Sequence, residues 1–247
     1  MVPFMERDVS AKIRLYVEHP LGPAQTLPLS REQAHYLFGV MRLAVGAHVL
    51  VFDGAQGEWL AEVTEAGKRG GALRTLEQLR PQQMPPDLWL LFAPVKKART
   101  DFIVEKAVEM GVSRLLPVQT EFTNSGRIQR DRLQAHAVEA AEQCGATFVP
   151  PVDEMQKLGR VLDHWENTRR IMFCDETAAG AGRSLPGLQG PWAVLIGPEG
   201  GFSPGERDRL HRSEATHAVS LGPRILRADT AAVAALTLWQ AALGDWT

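Results

Sequence analysis

The sequence predicts an α/β protein in two parts, a parallel sheet covered by helices from about residue 88 onward and a small β-barrel before it. Three observations predict it. Beyond residue 87, apolar runs of strand length alternate with helical patterns, the rhythm of a parallel sheet with helices on its faces. Up to residue 80 the runs are short, closely spaced and broken by Gly-rich turns, as in a small barrel. Between them, Pro81 to Asp87 holds three prolines in seven residues and reads as a linker. The expected division is 1–80, a linker at 81–87, and 88–247.

Composition bounds the function. A chain of 247 residues with 45% hydrophobic and 23% charged residues has the make-up of an ordinary globular protein with a real core. No apolar stretch reaches the ~18 residues of a membrane span, and the start is not basic-then-apolar, so a cytoplasmic protein is expected. Cys144 and Cys174 lie apart with no Cys-x-x-Cys, which argues against a disulfide framework and a bound metal. The net charge of −2 leaves any nucleic-acid contact to local patches. Lys96, Lys97 and Arg99 form one such cluster and Arg127, Arg130 and Arg132 another; each is either solvated surface or an RNA contact.

In the first part, Lys12 to Val17 alternates and Ser30 to Gln33 forms a capping box before a helix whose apolar face is His35 to Leu43. His48 to Phe52 and Glu58 to Thr64 read as strands with a turn at Phe52-Asp53-Gly54. In the second part, strands are expected at Leu88 to Ala93, Arg114 to Val118 and Arg169 to Cys174. Helices are expected at Asp101 to Met110, stopped by Gly111, and at Arg127 to Cys144, stopped by Gly145.

Trp192 to Ile196 is an apolar run of buried-strand type, ended by Gly197-Pro198-Glu199-Gly200-Gly201. Ser203, with Pro204 after it and Glu206 three positions on, then starts a helix. This glycine loop either reverses the chain or admits a ligand to main-chain groups without Cβ atoms in the way. A phosphate is the wrong ligand, because no Lys-Ser or Lys-Thr follows and Glu199 repels it; a neutral or cationic ligand fits. A second such loop, Leu221 to Thr230, joins a short strand at His217 to Ser220 to a last helix that Asp229 or Thr230 can cap. Ile225 and Leu226, flanked by Arg224 and Arg227, either wall an apolar pocket with cations at its mouth or tuck against the core. The last helix, Ala231 to Leu243, is polar only at Thr237 and Gln240 and must be covered all round, by its own core or by a second copy.

Together, Leu195-Ile-Gly-Pro-Glu-Gly-Gly201 and Leu221-Gly-Pro-Arg-Ile-Leu-Arg227 resemble the two signature loops of the RsmE family, bacterial methyltransferases that make 3-methyluridine in 16S ribosomal RNA. Glu139 to Gly145, Asp101 to Gly111, and His35 to Leu43 with Phe52-Asp53-Gly54 extend the resemblance over nearly the whole chain. It implies a PUA-like barrel followed by a SPOUT domain with a trefoil knot, and a homodimer that binds S-adenosylmethionine and acts on 16S RNA or the small ribosomal subunit. The cofactor positions it implies are Phe173, Leu195, Ile196, Gly197, Glu199, Gly200 and Gly201, then Leu221, Gly222, Arg224, Ile225 and Leu226. Arg227, Asp229 and Arg42 are the candidates for catalysis: the arginines to stabilise the anionic uracil ring or its phosphate, the aspartate as proton acceptor or plain helix cap. The sequence departs from the family pattern at Ala98, Ala146, Ala228 and Asp229. Ribose 2′-O-methylation by another SPOUT enzyme, and RNA binding without catalysis, are the other readings.

Overall fold

A computed structural model of the chain describes residues 11–175, 185 and 187–246. Contacts divide it into two units, one reaching to Met84 and including Gly145–Phe148, the other formed by Pro85–Cys144 and Val149 onward.

The first unit is a curled half-barrel of five strands: β1 (Arg14–Tyr16), β2 (Thr26–Pro28), β3 (His48–Phe52), β4 (Glu58–Ala66) and β5 (Gly71–Arg80), in the order β1-β3-β4-β5-β2. β1 and β2 are its two edges, so the expected barrel is open along one seam among the described residues. Its longest strand, β5, carries no clean alternation in sequence; its register with β4 shifts at three places, and each bulge turns a side chain to the wrong face for a period of two. Val49, Val51, Ala61, Val63 and Leu73 are fully buried in the core of this unit.

The capping box at Ser30 forms as the sequence predicts, Gln33 N donating to Ser30 Oγ at 3.1 Å and Ser30 N to Gln33 Oε1 at 2.9 Å. The helix after it differs. α1 covers only Arg31–Ala34, and His35–Val40 widens into a π-helical turn in which Met41 N donates to Tyr36 O at 2.9 Å. The extra residue per turn rotates the apolar stripe, so Leu37 is buried while Val40 and Met41 face solvent.

Among its described residues the second unit holds six parallel strands: β6 (Leu88–Phe92), β7 (Arg114–Gln119), β8 (Gln156–Lys157), β9 (Arg170–Cys174), β10 (Trp192–Ile196) and β11 (Thr216–Val219), ordered β11-β9-β10-β6-β7-β8. Its helices are α2 (Lys97–Glu109), α3 (Arg130–Cys144), α4 (Leu158–Asp163), α5 (Pro204–Arg212) and α6 (Ala228–Leu243). Parallel strands need crossover connections, and the crossovers cover both faces. Every residue of β10 is buried for that reason. α2 starts four residues before the expected Asp101, and α3 starts three after the expected Arg127. Gly111 and Gly145, with φ of 72° and 83°, follow them as stops. β8 and α4 are too short for the periodic signal that reveals longer elements.

α6 begins at Ala228, with Arg227 as its N-cap and no capping side chain, so neither Asp229 nor Thr230 caps it. Asp229 instead lies in the first turn, where a carboxylate suits the positive end of the helix dipole. One face of α6, Ala232, Ala235, Leu236, Trp239 and Gln240, is buried, the helix packing on α2 and β10. Thr237, Ala241 and Ala242 on the remaining surface are exposed. Among the described residues no helix is long and apolar enough to cross a membrane.

Candidate active site

β11, β9 and β10 are neighbours in the sheet and run parallel, so their carboxyl ends at Val219, Cys174 and Ile196 lie side by side at one edge. That is why two glycine-containing loops twenty residues apart in sequence line one cavity. Ligands in open parallel sheets bind at this carboxyl end.

The first loop contributes Ile196, Gly197 and Gly201 to the wall; the second contributes Leu221, Gly222, Arg224, Ile225 and Leu226. Of the three glycines in the first loop only Gly201 has a positive φ, 68°. Gly197 serves close packing instead: a Cβ there would lie 2.7 Å from the ring of Phe202, which stands edge-on to Phe173 at 5.1 Å. The loop then enters α5 through the expected capping box, Ser203 N donating to Glu206 Oε2 at 3.0 Å, with Pro204 as the first helical residue.

Four expected cofactor positions do not line the cavity. Phe173 and Leu195 are fully buried in the core of this unit, because alternate residues of a strand point to the covered faces of the sheet. Glu199 and Gly200 lie at the exposed tip of the first loop. Of the catalytic candidates, Arg227 is exposed just before α6, and Asp229 Oδ2 lies 3.8 Å from Arg99 Nε while its Oδ1 accepts from Thr230 N at 2.9 Å. Arg42 belongs to the first unit, exposed, with a left-handed φ of 57°.

Cys174, Asp175 and Ser220 also line the cavity and were not assigned to the site from the sequence. The signal that could have found them is position: each sits at or just past the carboxyl end of β9 or β11. Desolvation pushes the Cys174 thiol up to about 12, so at neutral pH it stays protonated and offers no nucleophile. Asp175, only 3% exposed, accepts a hydrogen bond from His211 Nε2 of α5 at 2.8 Å. It is the acidic side chain of a lining that also holds the Cys174 thiol, the Ser220 hydroxyl and two arginines, Arg207 and Arg224, among backbone and apolar groups. Among the described residues no group of three or more histidine, cysteine and acidic side chains could hold a metal.

Comparison with known proteins agrees with this architecture. Residues 82–240 match the model of the RNA methyltransferase domain, and residues 29–75 that of the RNA methyltransferase PUA domain. The ribosomal RNA small subunit methyltransferase E of Rickettsia conorii is 27% identical over 229 residues, covering 90% of this chain and 93% of its own length. A crystal structure of the same-named enzyme from Neisseria gonorrhoeae bound to S-adenosylmethionine superposes with a TM-score of 0.86 at 27% identity, covering 95% of this chain and 99% of that one. A putative methyltransferase from Legionella pneumophila, also solved with S-adenosylmethionine, gives 0.87 at 28% identity, with 94% and 98% covered. The chain belongs to the RNA methyltransferase family.

Proposed function

We propose that this protein transfers a methyl group from S-adenosylmethionine to N3 of a uridine in 16S ribosomal RNA. The observation that carries the reading is the meeting of the Gly197–Gly201 and Leu221–Leu226 loops in one cavity at the carboxyl ends of β9, β10 and β11. The names of the relatives and the bound cofactor of the solved neighbours point the same way.

The residues present suit this cofactor. Leu221, Ile225 and Leu226 supply apolar wall for an adenine, and backbone of the two loops can read its edge. Asp175 offers a carboxylate to the cationic sulfonium, and Arg207 and Arg224 in the same lining can meet the cofactor's own carboxylate. When bound, the cofactor supplies an electrophilic methyl group.

Loss of the uracil N3 proton leaves an anionic ring, which Arg227 and Arg224 at the rim can stabilise, with Arg42 a further cation for the RNA. Asp229 is the proton acceptor to test, its carboxylate accepting from Thr230 N with Arg99 Nε 3.8 Å away. Cys174, protonated, takes no covalent part. The uncovered surface of α6 supports a homodimer, and the reading places the protein in the cytoplasm with the ribosome.

The test is to incubate the protein with labelled cofactor and small ribosomal subunits from an unmodified strain, then digest and map the product. Labelled 3-methyluridine is expected. A 2′-O-methylated nucleoside, or no transfer with no cofactor binding by calorimetry, would overturn the reading. Light scattering at micromolar concentration is expected to give twice the chain mass, and a monomer would remove the dimer.

A further inference from the structure

Phe122 lies in the turn after β7 with 41% of its surface exposed. It is held there. Thr120 N donates to Thr123 Oγ1 at 2.9 Å, the two threonine hydroxyls share a hydrogen bond at 2.9 Å, and Thr123 N donates to Thr120 O at 3.2 Å. Glu121 N donates to Glu206 Oε1 at 3.0 Å, and the other oxygen of that carboxylate caps α5, so the turn is tied to the helix that leaves the first glycine loop. The ring is backed by the loop itself. A Cβ on Gly200 would sit 3.1 Å from Phe122 Cβ, and the next residue, Gly201, lines the cavity.

With two-fifths of its surface in water, the phenyl ring forgoes part of its burial. Single exposed apolar residues are common on protein surfaces. Phe122 differs because its backbone is tied on both sides and it stands against Gly200, one residue from the cavity wall at Gly201, so little freedom is lost when something stacks on it.

On the reading of the chain as a uridine methyltransferase, the occupant follows from the chemistry. A base whose ring nitrogen is to react must leave its neighbours in the RNA, which costs a few kcal/mol of stacking. Protein aromatic rings restore about 1–3 kcal/mol per base, whatever the base, because every base has a π-face. We infer that Phe122 is the platform on which a nucleobase of the RNA substrate stacks at the mouth of the cavity. Gly200 then has a role besides flexibility: its missing side chain lets the phenyl ring approach the cofactor loop.

The experiment compares the full chain with Phe122→Ala, Phe122→Leu and Phe122→Tyr. Initial rates of methyl transfer to small subunits from an unmodified strain give KM and kcat, calorimetry gives the affinity for S-adenosylmethionine, and anisotropy follows binding of a fluorescein-labelled 16S RNA fragment. The alanine and leucine variants are expected to raise KM and the RNA Kd about 5- to 150-fold, the range that a stacked base is worth. Cofactor affinity should stay within twofold, which also shows that the fold is intact, and tyrosine should keep wild-type values. A leucine variant equal to wild type, or a tyrosine variant as weak as alanine, would show that the ring face does nothing and overturn the inference. Wild-type protein that transfers no methyl group would overturn the functional reading, and the stacking role with it.

Discussion

Gly197→Ala is expected to weaken S-adenosylmethionine binding at least about tenfold while lowering stability by roughly 1–3 kcal/mol, the ordinary cost of overpacking a core. The added Cβ would meet three atoms of the Phe202 ring at 2.7, 3.1 and 3.2 Å. Phe202 is 5% exposed and stands edge-on to the fully buried Phe173, with an interplanar angle of 80°. Relief comes from the ring or from the loop, and both belong to the cavity wall, which Phe202, Ile196, Gly197 and Gly201 line. Calorimetry and a thermal melt measure the two effects separately. Wild-type affinity in a variant of wild-type stability would show that the loop does not set the cavity. The same change at Gly187, where a Cβ meets nothing within 4 Å, should leave both unchanged.

Glu58→Ala should destabilise the first unit by about 3 kcal/mol at neutral pH, as expected when one member of a buried ion pair is removed. The Glu58 side chain, 6% exposed, receives Arg14 Nε at 2.6 Å and Arg80 at 2.9 and 3.0 Å, joining β1, β4 and β5. The same guanidinium groups donate to the carbonyls of Ala146 and Gly145, tying that short segment into the unit. Burial by itself would raise the Glu58 carboxyl, but the hydrogen bonds and charges of Arg80 and Arg14 outweigh it and hold the pKa below the ordinary 4.5. The folded state therefore binds fewer protons here than the unfolded chain as the solution is acidified. The stabilisation is complete well above pH 4.5 and disappears as the pH falls through the lowered folded value. Amide exchange of β4 and β5 at pH 7 measures the loss. Urea unfolding should show the difference between wild type and variant shrinking below about pH 4. A difference that holds constant into acid would exclude the ion pair as its source.

Elements whose signals are local were legible in the sequence. The two capping boxes, the stops at Gly111 and Gly145 and the continuous apolar run of β10 depend on residues within a few positions of one another. The same holds for the composition of the two loops. Where tertiary contacts override local preference, the reading failed. The bulges of β5 hide its alternation, the π-turn at His35–Val40 shifts the period of an apolar stripe, and α6 starts three residues early with no capping side chain.

The residues alone determined that this chain is an α/β protein with one glycine-rich loop after a buried strand and a second loop of large apolar residues flanked by arginines, because strand period, helix caps and side-chain charge are properties of neighbours in sequence. Only the tertiary structure decided that both loops share one cavity, that Cys174, Asp175 and Ser220 join them while Phe173 and Leu195 turn into the core, and that Phe122 stands beside Gly200. Each of these depends on the order β11-β9-β10-β6-β7-β8, which sets distant strand ends side by side and leaves no mark in local sequence.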